Sequence, residues 1–304
     1  MRCVIYQHPL AYLLGIEGAA LLRAYAGDYD QRYVAERLDE VRRLLDNEWL
    51  AGHDGIAFAT ADTVTGYRAR SAGYDDEGND LFGIDEPVVY GILDGLPAGV
   101  ALDAACGTGR YTARLASLGH RVIGVDSSPE MLDRARARVR GAEFHVGQLD
   151  HLPMPDGSVD VVTCGLALSY LPSIGPAMAE FARVLRPGGH LVVSDVHHHR
   201  VLLGTAFMDA DDPAGGPALV PAYRHTTGDF LRAALAVGLQ VRRYEEPRHP
   251  VRTDLPAATP EAVAADWTEW PWSLSAMVPA AAHAANDRYS LAIWHFQRAV
   301  SPPR

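Results

Sequence analysis

Cysteine is scarce in this chain. Cys3, Cys106 and Cys164 are all it has in 304 residues, which provides neither a disulfide framework nor a paired metal-ligand spacing. Long apolar runs are missing as well. No stretch approaches the ~18 apolar residues of a membrane span, and the opening residues lack a basic segment followed by a long apolar core. No signal peptide or membrane association is therefore expected, and the expected location is cytoplasmic. Basic charge is short too: 27 Lys and Arg face 38 Asp and Glu, for a net charge of −11. Nucleic-acid binders usually carry a basic face, whereas these arginines are scattered, so no nucleic-acid partner is expected. Internal repeats and low-complexity linkers are absent. What is present, 48% hydrophobic and 21% charged residues, is ordinary for a globular protein of one large domain or two.

The informative stretch runs from Val100 to Asp126. Val100 to Ala104 is a short apolar run that reads as a buried parallel strand, interrupted near its carboxyl end by Asp103. A loop with Gly107 and Gly109 follows, then a helix from about Arg110 that ends where Gly119 supplies its C-terminal cap. Arg121 to Val125 reads as the next strand, with Asp126 at its tip, nineteen positions after Gly107. Glycines in such a turn let backbone N–H groups approach a ligand closely, because no Cβ intervenes. A carboxylate at the tip of the following strand is placed to accept both hydroxyls of a ribose. The glycine spacing is not that of a pyrophosphate-binding turn, and Asp103 would repel a pyrophosphate. It suits an ammonium group, so a ribonucleoside bearing an amino acid fits both ends.

The run Leu102-Asp103-Ala104-Ala105-Cys106-Gly107-Thr108-Gly109 resembles motif I of the class I S-adenosylmethionine-dependent methyltransferases, and later motifs recur in that family's order over roughly residues 65–296. The resemblance implies an α/β fold: a Rossmann-like seven-stranded sheet of order 3-2-1-4-5-7-6, its last strand antiparallel, with helices on both faces. It implies S-adenosylmethionine as cofactor, S-adenosylhomocysteine as product and no metal. Motif I places Asp103, Ala105, Gly107 and Gly109 at the cofactor, and the next strand adds Asp126 and Ser127. Met131 resembles the position that packs on adenine. Gly147-Gln148-Leu149-Asp150-His151-Leu152-Pro153 aligns with the loop in which the family usually has Asp where Gln148 stands; Gln148 and Leu149 are the expected adenine contacts. Cys164, at the end of the fourth strand (Val159 to Cys164), completes the cofactor set. Upstream, Gly66 to Asp75 looks like the segment whose aromatic residue closes over the methionine end, and Tyr67 and Tyr74 are the candidates.

Residues 1–60 are expected to form an N-terminal helical cap or dimer contact on a methyltransferase domain of residues 61–304. Leu14, Gly18, Leu21, Leu22 and Tyr25 mark the buried face of a first helix. Val34, Leu38, Val41 and Leu45 mark that of a second, from about Asp30 to Asn47. A helix over 84–96, another over 174–186, a fifth strand from His190 to Asp195, a helix over 228–237, a sixth strand after Gly238 and a last strand over 289–296 complete the pattern. Residues 204–224 read as a Gly/Pro-rich excursion, long enough to suggest a function, and 248–288 as an irregular aromatic segment.

The catalytic candidates are His197, His225 and Tyr170. The family often has a His-His pair after its fourth strand, where this chain has Leu168-Ser169-Tyr170-Leu171; a tyrosine there can orient an acceptor but is a poor base, with a reference pKa near ~10. Asp195-Val196-His197-His198-His199-Arg200 is the densest titratable cluster. It reads as a source of a general base, as a metal site, or as hydrogen-bonding loop histidines; consecutive strand histidines point to opposite faces, so at most two could share a metal. Trp267, Trp270 and Trp272 would suit a flat acceptor by stacking, or simply pack the sheet. The expected activity is methyl transfer to a small-molecule acceptor, an aromatic phenol or indole-type secondary metabolite. Methylation of a peptide side chain, or cofactor binding without methyl transfer in a sensor or cyclase, are the other readings.

Overall fold

In the computed structural model the described residues are 4–70, 74, 80–204, 208–211, 216–248, 259, 267, 270–286 and 289–300. Much of the 248–288 segment, and residues 71–73 and 75 before motif I, lie outside them. The chain opens with β1 (Val4–Gln7), α1 (Pro9–Tyr25), α2 (Gln31–Leu45), α3 (Glu48–Ala51), β2 (Ile56–Thr60), α4 (Thr63–Arg70) and α5 (Asp80–Leu93). Strand–helix alternation follows: β3 (Val100–Ala104), α6 (Arg110–Ser117), β4 (Arg121–Asp126), α7 (Pro129–Arg138), β5 (Glu143–Val146) and β6 (Val159–Gly165). After a single 3₁₀ turn (Leu168–Tyr170) come α8 (Gly175–Val184), β7 (Leu185–Val196), α9 (His198–Leu202), β8 (Met208–Asp211) and β9 (Pro217–Val220). The last elements are α10 (Thr227–Ala236), β10 (Leu239–Glu245), α11 (Trp272–Met277), α12 (Pro279–Asn286) and β11 (Leu291–Arg298).

The main sheet has seven strands in the order β10-β11-β7-β6-β3-β4-β5. Read from β5 and counted within this sheet alone, that is 3-2-1-4-5-7-6. β11 pairs antiparallel with both β7 and β10, and the remaining pairs are parallel. The central strands are buried on both faces, Leu102, Val162, Cys164 and Val193 being inaccessible, as apolar runs of this kind require. Trp294 and Phe296 of β11 stack with Phe230 and Tyr244 on the face covered by α8 and α10. The carboxyl ends of β3, β4 and β6 therefore meet on one edge, where open α/β sheets bind ligands.

A second sheet of order β1-β2-β9-β8 is present as well. It converts part of the expected 204–224 excursion into a hairpin, β8 antiparallel to β9, joined in parallel to β2. Four- and five-residue strands that pair across more than 150 positions carry no local signal of their partners.

The helical faces also differ from expectation. α1 turns Leu13, Ile16, Glu17, Ala20 and Ala24 inward, while Leu22 and Tyr25 are 71% and 94% exposed. Its partner is the pair α11 and α12, whose Leu274, Ala281 and Ala285 share one core with Leu13 and Ile16. α2 buries Arg37, Glu40 and Leu44 and leaves Leu38 and Leu45 outside. Arg37 donates to Glu17 across 3.1 Å in a buried pair. Burial outweighs Arg37 and pushes the Glu17 carboxyl up to about 7. Trp270 and Trp267 belong to this helical cluster, and Trp272 is half exposed beneath the Arg200 guanidinium. The expected helix over 174–186 ends earlier, α8 stopping at Val184, and β7 begins at Leu185, so Arg186 to Gly189 lies within the strand rather than before it.

Candidate active site

The glycine loop leaves β3 through a left-handed residue that is not glycine: Ala105 has φ +55°, followed by Gly107 at +54° and Gly109 at +85°. Leu166, just beyond the neighbouring β6, has φ +57°. Side chains in this region cost about 1–2 kcal/mol, and such residues gather at ligand sites. Replacing Ala105 with glycine is therefore expected to stabilise the protein by about 1 kcal/mol, and replacing it with valine to destabilise it by more, both read from urea unfolding. Backbone bonds lock the loop: Cys106 N–H donates to Val125 O at 3.0 Å and Gly109 N–H to Cys106 O at 2.9 Å. A Cβ at Gly109 would stand 3.2 Å from Ala135 of α7, so glycine also admits the helix.

Asp126 organises the second half. Its Oδ2 accepts from Gly107 N–H at 2.8 Å and its Oδ1 from Ser128 N–H at 2.9 Å. Burial pushes its carboxyl up and these N–H donors pull it back. Each oxygen keeps a lone pair beyond these bonds, which is what the hydroxyls of a ribose need. Asp103 is fully buried and accepts from Thr112 Oγ1 at 2.7 Å and Thr163 Oγ1 at 2.9 Å. Burial raises it to about 6 against those two bonds.

The sign of that shift has a consequence for ligand binding. An ammonium group binds the ionised carboxylate, so affinity for S-adenosylhomocysteine should be full above pH 6 and fall as pH drops through it. Calorimetry from pH 5 to 8 on wild type and Asp103→Asn checks this: the asparagine variant should bind weakly and lose the pH step.

Two compartments open on this edge. The smaller, about 310 Å³, is lined by Asp103, Arg110, Tyr111 and Tyr74. The larger, about 770 Å³, is lined by Asp126, Ser127, Gln148, Leu149, Tyr67 and Tyr170. Tyr74, Ala105, Gly107 and Gly165 line both, so they form one cleft. The Tyr74 ring lies 4.0 Å from the position a Gly107 Cβ would take.

Of the expected cofactor residues, this cleft brings together Tyr67, Tyr74, Asp103, Ala105, Gly107, Asp126, Ser127, Gln148 and Leu149. Gly109 starts α6 and does not line it. Met131 is buried within α7, its N–H held by Ser128 Oγ at 3.3 Å, and Cys164 is enclosed in β6. Neither is among the residues that line the cleft.

Of the catalytic candidates, Tyr170 lines the cleft. His197 does not: it is the N-terminal cap of α9, with Nε2 3.1 Å from Glu246 Oε1 and Nδ1 accepting from His199 N–H. Burial lowers its affinity for a proton. The His198 ring packs against it, tilted by 40° with centroids 4.1 Å apart, and His199 Nε2 donates to Ala285 O. Among the described residues no group of three or more metal-ligating side chains converges. His225 does not line the cleft; it donates Nε2–H to Leu168 O at 3.1 Å and Leu171 O at 2.8 Å, while Tyr223 N–H donates to Ser169 O at 2.6 Å. It fastens the turn that presents Tyr170.

Residues that sequence reasoning missed sit beside the smaller compartment. Arg110 donates to Asp85 at 2.6 Å and to Glu86 at 3.3 Å, and Tyr111 donates its hydroxyl to Asp85 at 2.6 Å. Arg110 and Tyr111 directly follow the glycine loop, which was the available signal; Asp85 on α5 gave none.

Residues 102–193 match the family model described as a methyltransferase domain. A stretch of 147 residues is 39% identical to the malonyl-[acyl-carrier protein] O-methyltransferase of Yersinia pestis, covering 48% of this chain and 55% of that protein. A stretch of 187 residues is 30% identical to the malonyl-[acyl-carrier protein] O-methyltransferase of Serratia marcescens, covering 58% and 70%. The chain thus spans just over half of one relative's length and about two thirds of the other's. The solved complex of DhpI with S-adenosylhomocysteine shares the fold, with a TM-score of 0.51 at 20% identity over 78% of this chain and 94% of that one.

Proposed function

Because this chain belongs to the class I S-adenosylmethionine-dependent methyltransferases, we propose that it transfers a methyl group from S-adenosylmethionine to a small-molecule acceptor. The observation that carries this is the pairing of Asp126 and Asp103 across one glycine loop, each at an end of a single cleft. The residues fit the cofactor: Asp126 has acceptor capacity for a ribose, Gln148 and Leu149 wall the nucleoside end, and Asp103 suits an ammonium group. When bound, the cofactor supplies an electrophilic methyl on a sulfonium. The chain's own residues hold donor and acceptor in line, so the rate gain rests mainly on proximity and orientation.

The acceptor side supports a small aromatic molecule, phenolic or indolic. Tyr67 and Tyr170 wall it, and Ala218 and Val220 of the second sheet pack behind them, which favours an enclosed pocket over a groove for a peptide. Tyr170 would orient the acceptor through its hydroxyl, with His225 acting through the 168–171 turn and His197 through its bond to Glu246. Among the described residues no helix is long and apolar enough to cross a membrane. The test is calorimetry with S-adenosylhomocysteine followed by a screen of phenols, indoles and carboxylic acids for product release. Lack of cofactor affinity would end the reading, and turnover confined to carboxylic acids would replace the aromatic acceptor.

A further inference from the structure

Helix α1 is apolar on both of its sides. The inner side packs Leu13, Ile16 and Ala20 into the core shared with α11 and α12. The outer side presents Ala11, Gly15, Gly18, Leu22 and Tyr25, whose 4-3-4-3 spacing sets them in one line along the helix. Ala11, Gly15, Leu22 and Tyr25 are exposed and Gly18 is half-buried, and a Cβ at either glycine would meet nothing within 4 Å. The two charged residues of the helix are turned elsewhere. Glu17 is buried against Arg37, and Arg23 donates to Asp28 Oδ2 and to Ala284 O at 2.7 Å each. A surface helix ordinarily carries polar residues on its outer face, so a continuous apolar line there marks a contact.

The shape of the line names the partner. Its first half, Ala11, Gly15 and Gly18, is shallow, and its second half, Leu22 and Tyr25, stands out. Such a face complements itself when turned end for end. With two copies antiparallel about a two-fold axis near Gly18, Leu22 of one meets Gly15 of the other and Tyr25 meets Ala11, each pair occurring twice. Large side chains then fill the space over the small ones, and Gly18 against Gly18 lets the axes approach toward the ~8 Å lower limit of helix packing. A parallel pairing would set Tyr25 on Tyr25 and leave a gap between the glycines. Charge favours the same occupant. At a net charge of −11 two copies repel over most of their surface, and this face adds nothing to that repulsion. An anionic bilayer, the other partner for an apolar helix face, is held by lysines and arginines on the same helix; α1 offers Arg23 alone, already engaged by Asp28.

We propose that the protein is a homodimer joined through α1, the two helices antiparallel and crossing near Gly18. The proposal does not depend on the methyltransferase reading. No residue of α1 lines the cleft, so each copy keeps a complete one. A helix of 17 residues is about 25 Å long, and one pair of such helices lies at the small end of stable interfaces. The dimer is therefore expected to dissociate on dilution.

Sedimentation velocity across the micromolar range reads the association. Wild type should move from 32.9 kDa toward twice that mass as concentration rises. Gly15→Glu and Leu22→Lys each place an unpaired charge in the line twice per dimer, and each is expected to weaken association by about tenfold or more. Mixed one to one, the two variants should associate again. The antiparallel arrangement sets the new carboxylate at position 15 of one copy against the new ammonium at position 22 of the other, and leaves the second end as in wild type. Far-UV circular dichroism and thermal melting check the fold. Should either variant fail to fold, Ala11→Glu with Tyr25→Lys makes the same test at exposed positions. Wild type that stays at 32.9 kDa throughout, association that the variants leave unchanged, or a mixture no stronger than its components overturns the proposal. Co-sedimentation of a monomeric wild type with vesicles of phosphatidylcholine and phosphatidylglycerol would assign the face to a bilayer instead.

Discussion

Replacing Asp126 with alanine is expected to weaken S-adenosylhomocysteine binding by about 100-fold or more in titration calorimetry. The carboxylate has two tasks. In the free protein it accepts the N–H groups of Gly107 and Ser128, so it ties the glycine loop to the entry of α7. On the proposed reading, its remaining lone pairs meet the ribose in the complex. Alanine strands two buried donors, each costing about 1–3 kcal/mol unless the loop moves, and removes charge-assisted bonds to the ligand worth about 1.5–3 kcal/mol each. The two ligand bonds alone, about 3 kcal/mol at their lower end, exceed the ~2.8 kcal/mol that corresponds to 100-fold; the stranded donors weaken the free protein and the complex alike, and so lower stability instead of affinity. Asparagine should fall between, because its oxygen can accept from one N–H while its amide nitrogen opposes the other. Unchanged affinity in Asp126→Ala would remove the nucleoside from this end of the cleft.

How well such features could be read in advance depended on whether their causes were local. The run from Val100 to Asp126 declares itself because a buried parallel strand, a glycine turn and a strand-tip carboxylate are all written in consecutive residues. The face of α1 is different. Its apolar residues circle most of the helix, so the partner chooses the side, and that partner is α12, more than 250 positions away; Leu13 and Ile16 go in, Leu22 stays out. In α2 a buried Glu17–Arg37 pair overrides the hydrophobic stripe. Histidine density points to His197, but β7 ends at Val196 and the chain turns at once into α9, which swings the ring to Glu246. Conversely, nothing near Gly165 announces a site. Its role appears only in the fold, where a Cβ would come within 2.5 Å of the Tyr111 ring.

That ring is fixed by Asp85, whose replacement by alanine is expected to be the most destabilising single change near the cleft, about 3 kcal/mol or more in urea unfolding. Asp85 is fully buried and is gripped by Tyr111 Oη and Arg110 at 2.6 Å each. The Arg110 guanidinium sits 4.3 Å from the centroids of both Phe82 and Tyr111, its side chain 16% exposed. Without Asp85 it keeps Glu86 at 3.3 Å, a half-exposed partner on the rim, and the tyrosine hydroxyl is left without an acceptor it now has. Removing one partner of a buried pair typically costs about 3–5 kcal/mol, whereas replacing both with apolar groups is often close to neutral. The double variant Asp85→Leu/Arg110→Leu should therefore be more stable than Asp85→Leu alone, a non-additivity that a double-mutant cycle with Arg110→Leu measures directly. It should still bind S-adenosylhomocysteine poorly, because Arg110 and Tyr111 line the smaller compartment, where the proposed reading puts the amino-acid end of the ligand. Stability regained without affinity would separate the two roles of this network: Asp85 holds the wall, and the wall holds the ligand. Additive losses in the cycle would mean that Asp85 and Arg110 act independently, and the compartment would then owe its shape to the packing of Tyr111 against Gly165.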